Sequence, residues 1–376
     1  MALKKKNLWR LHSWMGLLAG VPMLLIALTG SWLVFKPELD ALLLPERHVV
    51  APSPDGRLAF DELLARVRQA HPDQVVVGWS VSEQAARADV LFLVERGQGM
   101  WRKLYLDAQQ GRLLSGPLAL EDGINDWLLS LHYTLLGGHL GMLVAGVIAL
   151  LLLGLGITGF MIYRRFWRRM LQLNFRQAWR GLAGEFHRKL GVLAAPLFLI
   201  MGVTGAYWNI THAVADLAEH GLSDEHEVVT RSWLGDSLSL DQLVANSVAD
   251  LKGYRPFYIA LPYQEQGGLT FYGQVPERGF LRGPYGITFT YHRETGALQA
   301  KQDIREQHAA VQLVDAFRPL HFGNFGGLPV KIFYCVFGMM PAWLALSGFA
   351  VFFLRRGKKG KASVPKQITE DRAEAA

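Results

Sequence analysis

Four runs of this chain are long and apolar enough to cross a bilayer, and they constrain its fold more than any other feature. They lie near residues 14–35, 141–163, 190–210 and 332–354. A hydrocarbon core of about 30 Å takes roughly 20 apolar residues to cross as a helix. Inside lipid the backbone has to satisfy its own N–H and C=O groups, so each run is expected to be helical. With 51% hydrophobic residues among 376, the chain is too apolar for an ordinary pair of soluble domains. The first run is too long for a removed signal peptide, and no convincing cleavage site follows it.

The runs carry an internal repeat. His12 and His187 are each followed by glycine four residues on, at Gly16 and Gly191, and by Thr-Gly pairs at 17 and 18 residues, Thr29-Gly30 and Thr204-Gly205. In the second part of each half, Leu131-His132 and Leu320-His321 precede Gly137-Gly138 and Gly326-Gly327. Thr158-Gly159 and Ser347-Gly348 each end 27 residues after those histidines. A fixed period of this kind is the mark of a tandem duplication. Ionisable residues at the ends of membrane spans are costly and usually face the bundle interior with a partner, so histidines at matching positions are expected to meet in pairs.

Positive charge is retained on the cytoplasmic side of a span. Lys4, Lys5, Lys6 and Arg10 precede the first run, a basic stretch from Arg164 to Lys189 joins the second to the third, and Arg355, Arg356, Lys358, Lys359 and Lys361 follow the fourth. Both termini are therefore expected in the cytoplasm and the two long inserts outside. The net charge of +7 is explained by topology and anionic lipid and requires no nucleic acid. The expected division is 1–35 with the first span, insert 36–130, 131–163 with an outer lead-in and the second span, basic loop 164–189, span 190–210, insert 211–328, span 329–354 and charged tail 355–376.

Both inserts show one plan. The first opens with a Pro-rich linker at 51–56, then Phe60, Leu63, Leu64 and Val67 at helical spacing, then strand-like runs at 74–80, 90–95 and 102–107. The second has a helical run at 238–251 and extended runs at 256–261, 269–275 and 288–292. Each is expected to be a small α+β unit with its own short antiparallel sheet. The single Cys335 lies in the fourth span, so no disulfide holds either insert. The chain has no CxxCH and no CxxC pair, which excludes covalent haem attachment and cysteine-ligated zinc or iron–sulfur centres.

Bis-histidine ligation of haem requires two imidazoles from different helices at one membrane depth. His12 and His187 lie at the cytoplasmic ends of the odd spans, and His132 and His321 at the outer ends of the even ones. Two such pairs on opposite sides of a four-helix bundle would make a transmembrane electron path. The small residues near them (Gly16, Ala19, Gly20, Gly191, Ala194, Ala195) would admit a flat macrocycle, although close packing of membrane helices uses the same residues. If the helix from His132 to Arg164 is continuous, His132 lies well outside the core and His139 becomes the alternative outer ligand. His48, His71, His212, His220, His226, His292 and His308 read as surface residues of the inserts, and His220 and His226 with Asp224 and Glu225 lack the helical register of a zinc site.

The segments Leu-His12-Ser-Trp-Met-Gly16, Asp126-Trp127-Leu-Leu-Ser-Leu-His132, Phe186-His187-Arg-Lys-Leu-Gly191 and Pro319-Leu-His321-Phe-Gly323-Asn-Phe-Gly326-Gly327 resemble the four membrane signatures of the PepSY-associated transmembrane family. The helix-plus-strands inserts, each ending in an aromatic, a short polar stretch and Gly (Tyr105 to Gly111 and Tyr291 to Gly296), look like PepSY modules. The resemblance covers about the first 357 residues and implies a mainly α membrane protein, with four transmembrane helices in a two-fold tandem repeat and two periplasmic PepSY-like α+β inserts. Its nearest branch is that of bacterial inner-membrane siderophore reductases of the ferrioxamine type. That implies two b-type haems as cofactors, His12, His187, His132 and His321 as axial ligands to the iron, and a ferric siderophore as substrate.

The chain has no GxGxxG after a strand and no P-loop, so electrons would come from a separate cytoplasmic or membrane donor. The aromatic residues Trp32, Trp127, Tyr133, Tyr207, Trp208 and Phe322 read first as an interfacial belt and second as a wall between the outer site and substrate. Two other readings compete: a non-redox protein whose inserts bind a peptide or protease, and a siderophore permease.

Overall fold

The computed structural model describes residues 5–163, 179–220, 228–277 and 279–356. In chain order its elements begin with α1 (Lys5–Leu33), α2 (Lys36–Leu43), α3 (Pro45–His48), α4 (Phe60–Ala70), β1 (Gln74–Ser80), β2 (Asp89–Glu95), β3 (Trp101–Asp107), β4 (Arg112–Leu113), β5 (Leu118–Ala119), α5 (Ile124–Thr134) and α6 (Gly138–Ile162). They continue with α7 (Trp179–His220), α8 (Leu240–Asp250), β6 (Arg255–Ala260), β7 (Leu269–Gln274), β8 (Ile287–Tyr291), β9 (Leu298–Asp303), a 3₁₀ turn (Ile304–Glu306), α9 (Ala309–Phe322), α10 (Gly327–Gly338) and α11 (Met340–Arg356). Most of the basic loop (164–178), the segment 221–227 with His226, and the tail from 357 lie outside the described residues.

Four stretches among the described residues are long and apolar enough to cross a membrane: α1, α6, most of α7, and α10 with α11. Their burial is the reverse of a soluble bundle. Along α1 the large residues Trp14, Leu18, Val21, Leu25, Leu28 and Trp32 recur every three or four positions and are exposed, while Ala19, Gly20, Ala27, Thr29 and Ser31 are buried. A continuous apolar exterior over small and hydroxyl-bearing contacts is stable in lipid and not in water. Small residues also set helix separation: a Cβ on Gly202 of α7 would come 2.9 Å from the Leu153 backbone nitrogen of α6. The fourth span divides at Met339, where Pro341 has no N–H to donate and its ring crowds the preceding turn.

The inserts do not form two separate sheets. Their edge strands β1 and β6 pair antiparallel, Gly78 opposite Ala260 and Ser80 opposite Tyr258, which joins them into one nine-stranded sheet in the order β4-β3-β2-β1-β6-β7-β8-β9, with β5 also on β3. An unpaired edge leaves a row of open N–H and C=O groups, and each insert closes the other's edge. α4 and α8 cover one face, burying Trp79, Leu91, Leu104, Phe271 and Phe289. The two helices cap each other. Asp241 accepts from the backbone N–H groups of Phe60 and Asp61 at 2.9 Å each, and Asp61 accepts from Leu240 N–H at 2.7 Å. The extended runs read from sequence match β1, β2, β3, β6, β7 and β8 within a residue or two. β9 has no apolar alternation, being exposed along most of its length, and it was not foreseen.

Candidate functional site

α1 and α7 each pack against both α6 and α11, which sets α1 across the bundle from α7. Across that diagonal the rings of His12 and His187 lie 6.3 Å apart between centroids, at 90°. At the other end the rings of His132 and His321 also lie 6.3 Å apart, at 61°. All four matched histidines thus meet in the two pairs read from the sequence.

Each ring is held by a hydroxyl on another helix. His12 Nδ1 lies 2.8 Å from Thr158 Oγ1, His187 Nδ1 2.9 Å from Ser347 Oγ, His321 Nδ1 2.8 Å from Thr204 Oγ1, and His132 Nδ1 3.2 Å from Thr29 Oγ1. The hydroxyl protons are already committed to helix carbonyls: Thr158 donates to Gly154 at 2.7 Å, Thr204 to Ile200 at 2.7 Å, Thr29 to Leu25 at 2.8 Å and Ser347 to Leu344 at 3.2 Å. A hydroxyl has one proton, so each of these oxygens accepts from Nδ1–H. His132 Nδ1 also lies 2.9 Å from the carbonyl of Ile26, which can only accept. All four imidazoles are thereby set in the tautomer that leaves Nε2 with a lone pair, as a neutral histidine ligand requires.

The glycine after each hydroxyl makes room for the ring. A Cβ on Gly30 would come 2.6 Å from His132 Cε1, and one on Gly348 3.3 Å from His187 Cε1; at Gly159 and Gly205 the corresponding distance is 3.5 Å. The sequence reading used these hydroxyl-glycine pairs only as register marks and missed Thr29, Thr158, Thr204 and Ser347 as functional residues. The available signal was a hydroxyl immediately before glycine at fixed distance from every matched histidine.

The His132–His321 pair depends on how α5 and α9 turn back. The continuous helix on which the His139 alternative depends does not form: Leu135 and Leu136 take positive φ of 50° and 60°, and α6 starts at Gly138. α5 therefore folds against α1, and His132 enters the bundle. The alternative residue, His139, instead has its Nδ1 3.2 Å from Asp216 Oδ2. α5 is anchored by a polar network: Trp32 Nε1 donates to Asn125 at 2.7 Å, Asn125 to Asp40 at 2.7 Å, and Lys36 contacts Asp40 and Asp126 at 2.6 and 2.9 Å. Buried Lys103 of β3 reaches Asp126 and the carbonyls of Leu120 and Asp122. α9 stops at Gly323 in the left-handed conformation (φ 64°), with Tyr334 donating to the Leu320 carbonyl at 2.7 Å.

A cavity of about 200 Å³ opens around His12 and His187, lined by Gly16, Gly20, Gly156, Gly159, Gly184, Gly191, Gly348 and apolar side chains, with Ser13, Tyr163 and Arg188 as polar neighbours. With metal–nitrogen bonds of about 2.0 Å and ring centres about 1.1 Å behind the nitrogens, two imidazoles on opposite sides of one metal ion have centroids about 6.2 Å apart. Both pairs have that separation. Among the described residues no three His, Cys, Asp or Glu side chains converge on one point. Two imidazoles with no third donor suit an ion whose other positions belong to a planar macrocycle. Cys335 is half-buried in α10 and free.

Residues 9–356 match the PepSY-associated TM region family. An uncharacterized protein of Pseudomonas aeruginosa is 23% identical over 262 residues, which span 64% of this chain and 66% of that protein's own length.

Proposed function

The chain belongs to the PepSY-associated TM region family, and from that premise we propose that it is a di-haem membrane protein that carries electrons to ferric siderophores and so releases Fe(II). His12 and His187 hold one b-type haem and His132 and His321 the other; when bound, these supply reversible one-electron transfer. Four hydroxyls keep the Nδ1 atoms protonated and direct Nε2 toward the metal. Glycines admit the rings and the macrocycle, and the apolar lining keeps water out. Positions 12 and 29 of α1, one at each site, are 17 residues apart, a rise of about 25 Å, so the two sites lie near opposite faces of the membrane.

The basic ends mark the His12 side as cytoplasmic, with the chain in the bacterial inner membrane and the sheet in the periplasm. A one-electron donor acts at the cytoplasmic side. The ferric chelate accepts one electron on the sheet side, and the resulting Fe(II) is held far less tightly by hard oxygen ligands. No nucleophile or general base takes part.

The observation that carries this reading is the pair of imidazole pairs, both 6.3 Å apart, with every Nδ1 fixed by a hydroxyl. Purified protein is expected to show a Soret band and about two b-type haems per chain by pyridine haemochrome assay. His12→Ala or His187→Ala removes one haem, and His132→Ala or His321→Ala removes the other. Reduced with dithionite and mixed anaerobically with a ferric trihydroxamate and a ferrous trap, the protein reoxidises as the ferrous complex appears. A colourless protein would leave the inserts as a non-redox binding module.

A further inference from the structure

The face of the sheet turned away from α4 and α8 carries a row of half-buried aromatic side chains, of which Phe92 also packs against the small apolar cluster of Val75, Val77, Val94 and Val229. Along β2, β6 and β7, Leu91, Leu93, Ile259 and Phe271 enter the helix-covered core, and the alternating positions Phe92, Tyr258 and Tyr272 fall on the other side. The Phe92 and Tyr258 rings are 6.2 Å apart and those of Tyr258 and Tyr272 6.1 Å. Tyr285, from the connection between β7 and β8, lies 6.3 and 6.0 Å from these two tyrosines. Phe92 comes from the first insert and the tyrosines from the second, so the patch spans the β1–β6 seam.

The patch is linked to the outer histidine pair. The Arg318 guanidinium lies 4.6 Å from the Tyr285 ring and 4.9 Å from Phe322, whose ring is 5.9 Å from His321. Its charged neighbours are occupied: Arg282 donates to the carbonyl and side chain of Gln312, and Asp315 accepts from Gly283 N–H at 3.0 Å. Arg318 itself makes no hydrogen bond or ion pair among the described residues. A guanidinium held by two aromatic faces, with its planar donors free, is suited to a carboxylate or other oxyanion.

We propose that Arg318 and the patch of Phe92, Tyr258, Tyr272 and Tyr285 form the docking site of the ferric chelate, and that the chelate they select is anionic. This rests on the functional reading above. The aromatic faces pack against methylene arms and the phenols donate to chelate oxygens. Burial pushes the Tyr258 and Tyr285 hydroxyls up, with Arg318 opposing this at Tyr285, so both remain protonated donors. Arg318 attracts a carboxylate-bearing chelate and repels one with a pendant ammonium group.

Gallium(III) chelates copy the charge and shape of their ferric counterparts without accepting an electron, so their binding reads the site independently of electron transfer. Titration calorimetry of the purified full chain with gallium(III) citrate is expected to show binding at least about tenfold tighter than to a cationic gallium(III) trihydroxamate. Arg318→Gln, Tyr285→Ala and Phe92→Ala, each with unchanged circular dichroism and inner-haem spectrum, should weaken it by about tenfold or more, with partial recovery in Arg318→Lys. No binding by the parent, or equal binding by Arg318→Gln, overturns the proposal. Equal binding together with a shifted outer-haem midpoint potential assigns Arg318 to a cofactor carboxylate instead. Binding without any haem in the parent would sink the electron-transfer reading and keep the docking site.

Discussion

At His321 the decisive atom is Nδ1, whose proton goes to Thr204 because that hydroxyl's own proton is spent on Ile200. Thr204→Val keeps the shape and removes the acceptor, leaving a buried N–H unpaired at a cost of about 1–3 kcal/mol. The expected result is loss of part of the outer haem and a shifted midpoint potential in a redox titration, both restored by Thr204→Ser. The glycines are not equivalent although they share one register. Gly30→Ala forces His132 aside, since its Cβ would lie 2.6 Å from the ring, whereas Gly205→Ala makes an ordinary contact at 3.5 Å. Haem content should fall in the first variant and hold in the second; equal loss in both would show that ring clearance is not what these glycines provide.

The break between α5 and α6 decides which histidine reaches the bundle. Two consecutive leucines in the left-handed region cost about 1–2 kcal/mol each, a strain sustained by the anchoring of α5 through Asn125 and Asp126. Leu136 is exposed, so Leu136→Gly should be neutral or stabilising by up to about 1 kcal/mol, after the greater unfolded-state freedom of glycine is counted. Leu136→Ile should destabilise by about the same amount, because branching at Cβ worsens the left-handed conformation; thermal unfolding in detergent separates the two. His139 pairs with Asp216, and His139→Ala is expected to keep both haems. Loss of the outer haem in that variant would mean that α5 does not supply the ligand.

At the scale of the whole molecule, the sheet is tied to the bundle by charges set in a largely dry neck. Lys103, 4% exposed, reaches Asp126 from β3. Lys103→Met leaves Asp126 with Lys36 alone and the Leu120 and Asp122 carbonyls without this donor, at a cost of about 1–3 kcal/mol. The predicted result is a lowered melting temperature and a weakened outer haem with the inner one intact. Topology is testable by reporter fusions: those after residues 100 and 270 should report the periplasm and one after 175 the cytoplasm. The inverse pattern would reverse the direction of electron flow and end the proposed function.

The chain by itself determined whatever depends on period and composition. Four apolar runs required four membrane-crossing helices, extended apolar runs bounded by turn residues marked six strands, and a histidine repeated at fixed distance from Gly and Thr-Gly or Ser-Gly named four residues that the fold brings together. Local pattern could not go further, because the remaining features are relations between distant segments. The β1–β6 seam joins edges about 180 residues apart, and nothing in either strand marks its partner. Thr158 and His12, 146 residues apart, meet because α6 packs beside α1. The choice of His132 over His139 rested on two leucines taking a backbone conformation for which they have no intrinsic preference. That conformation persists because burying Asn125 and pairing Asp126 offset its strain, an energy balance only the assembled tertiary structure contains.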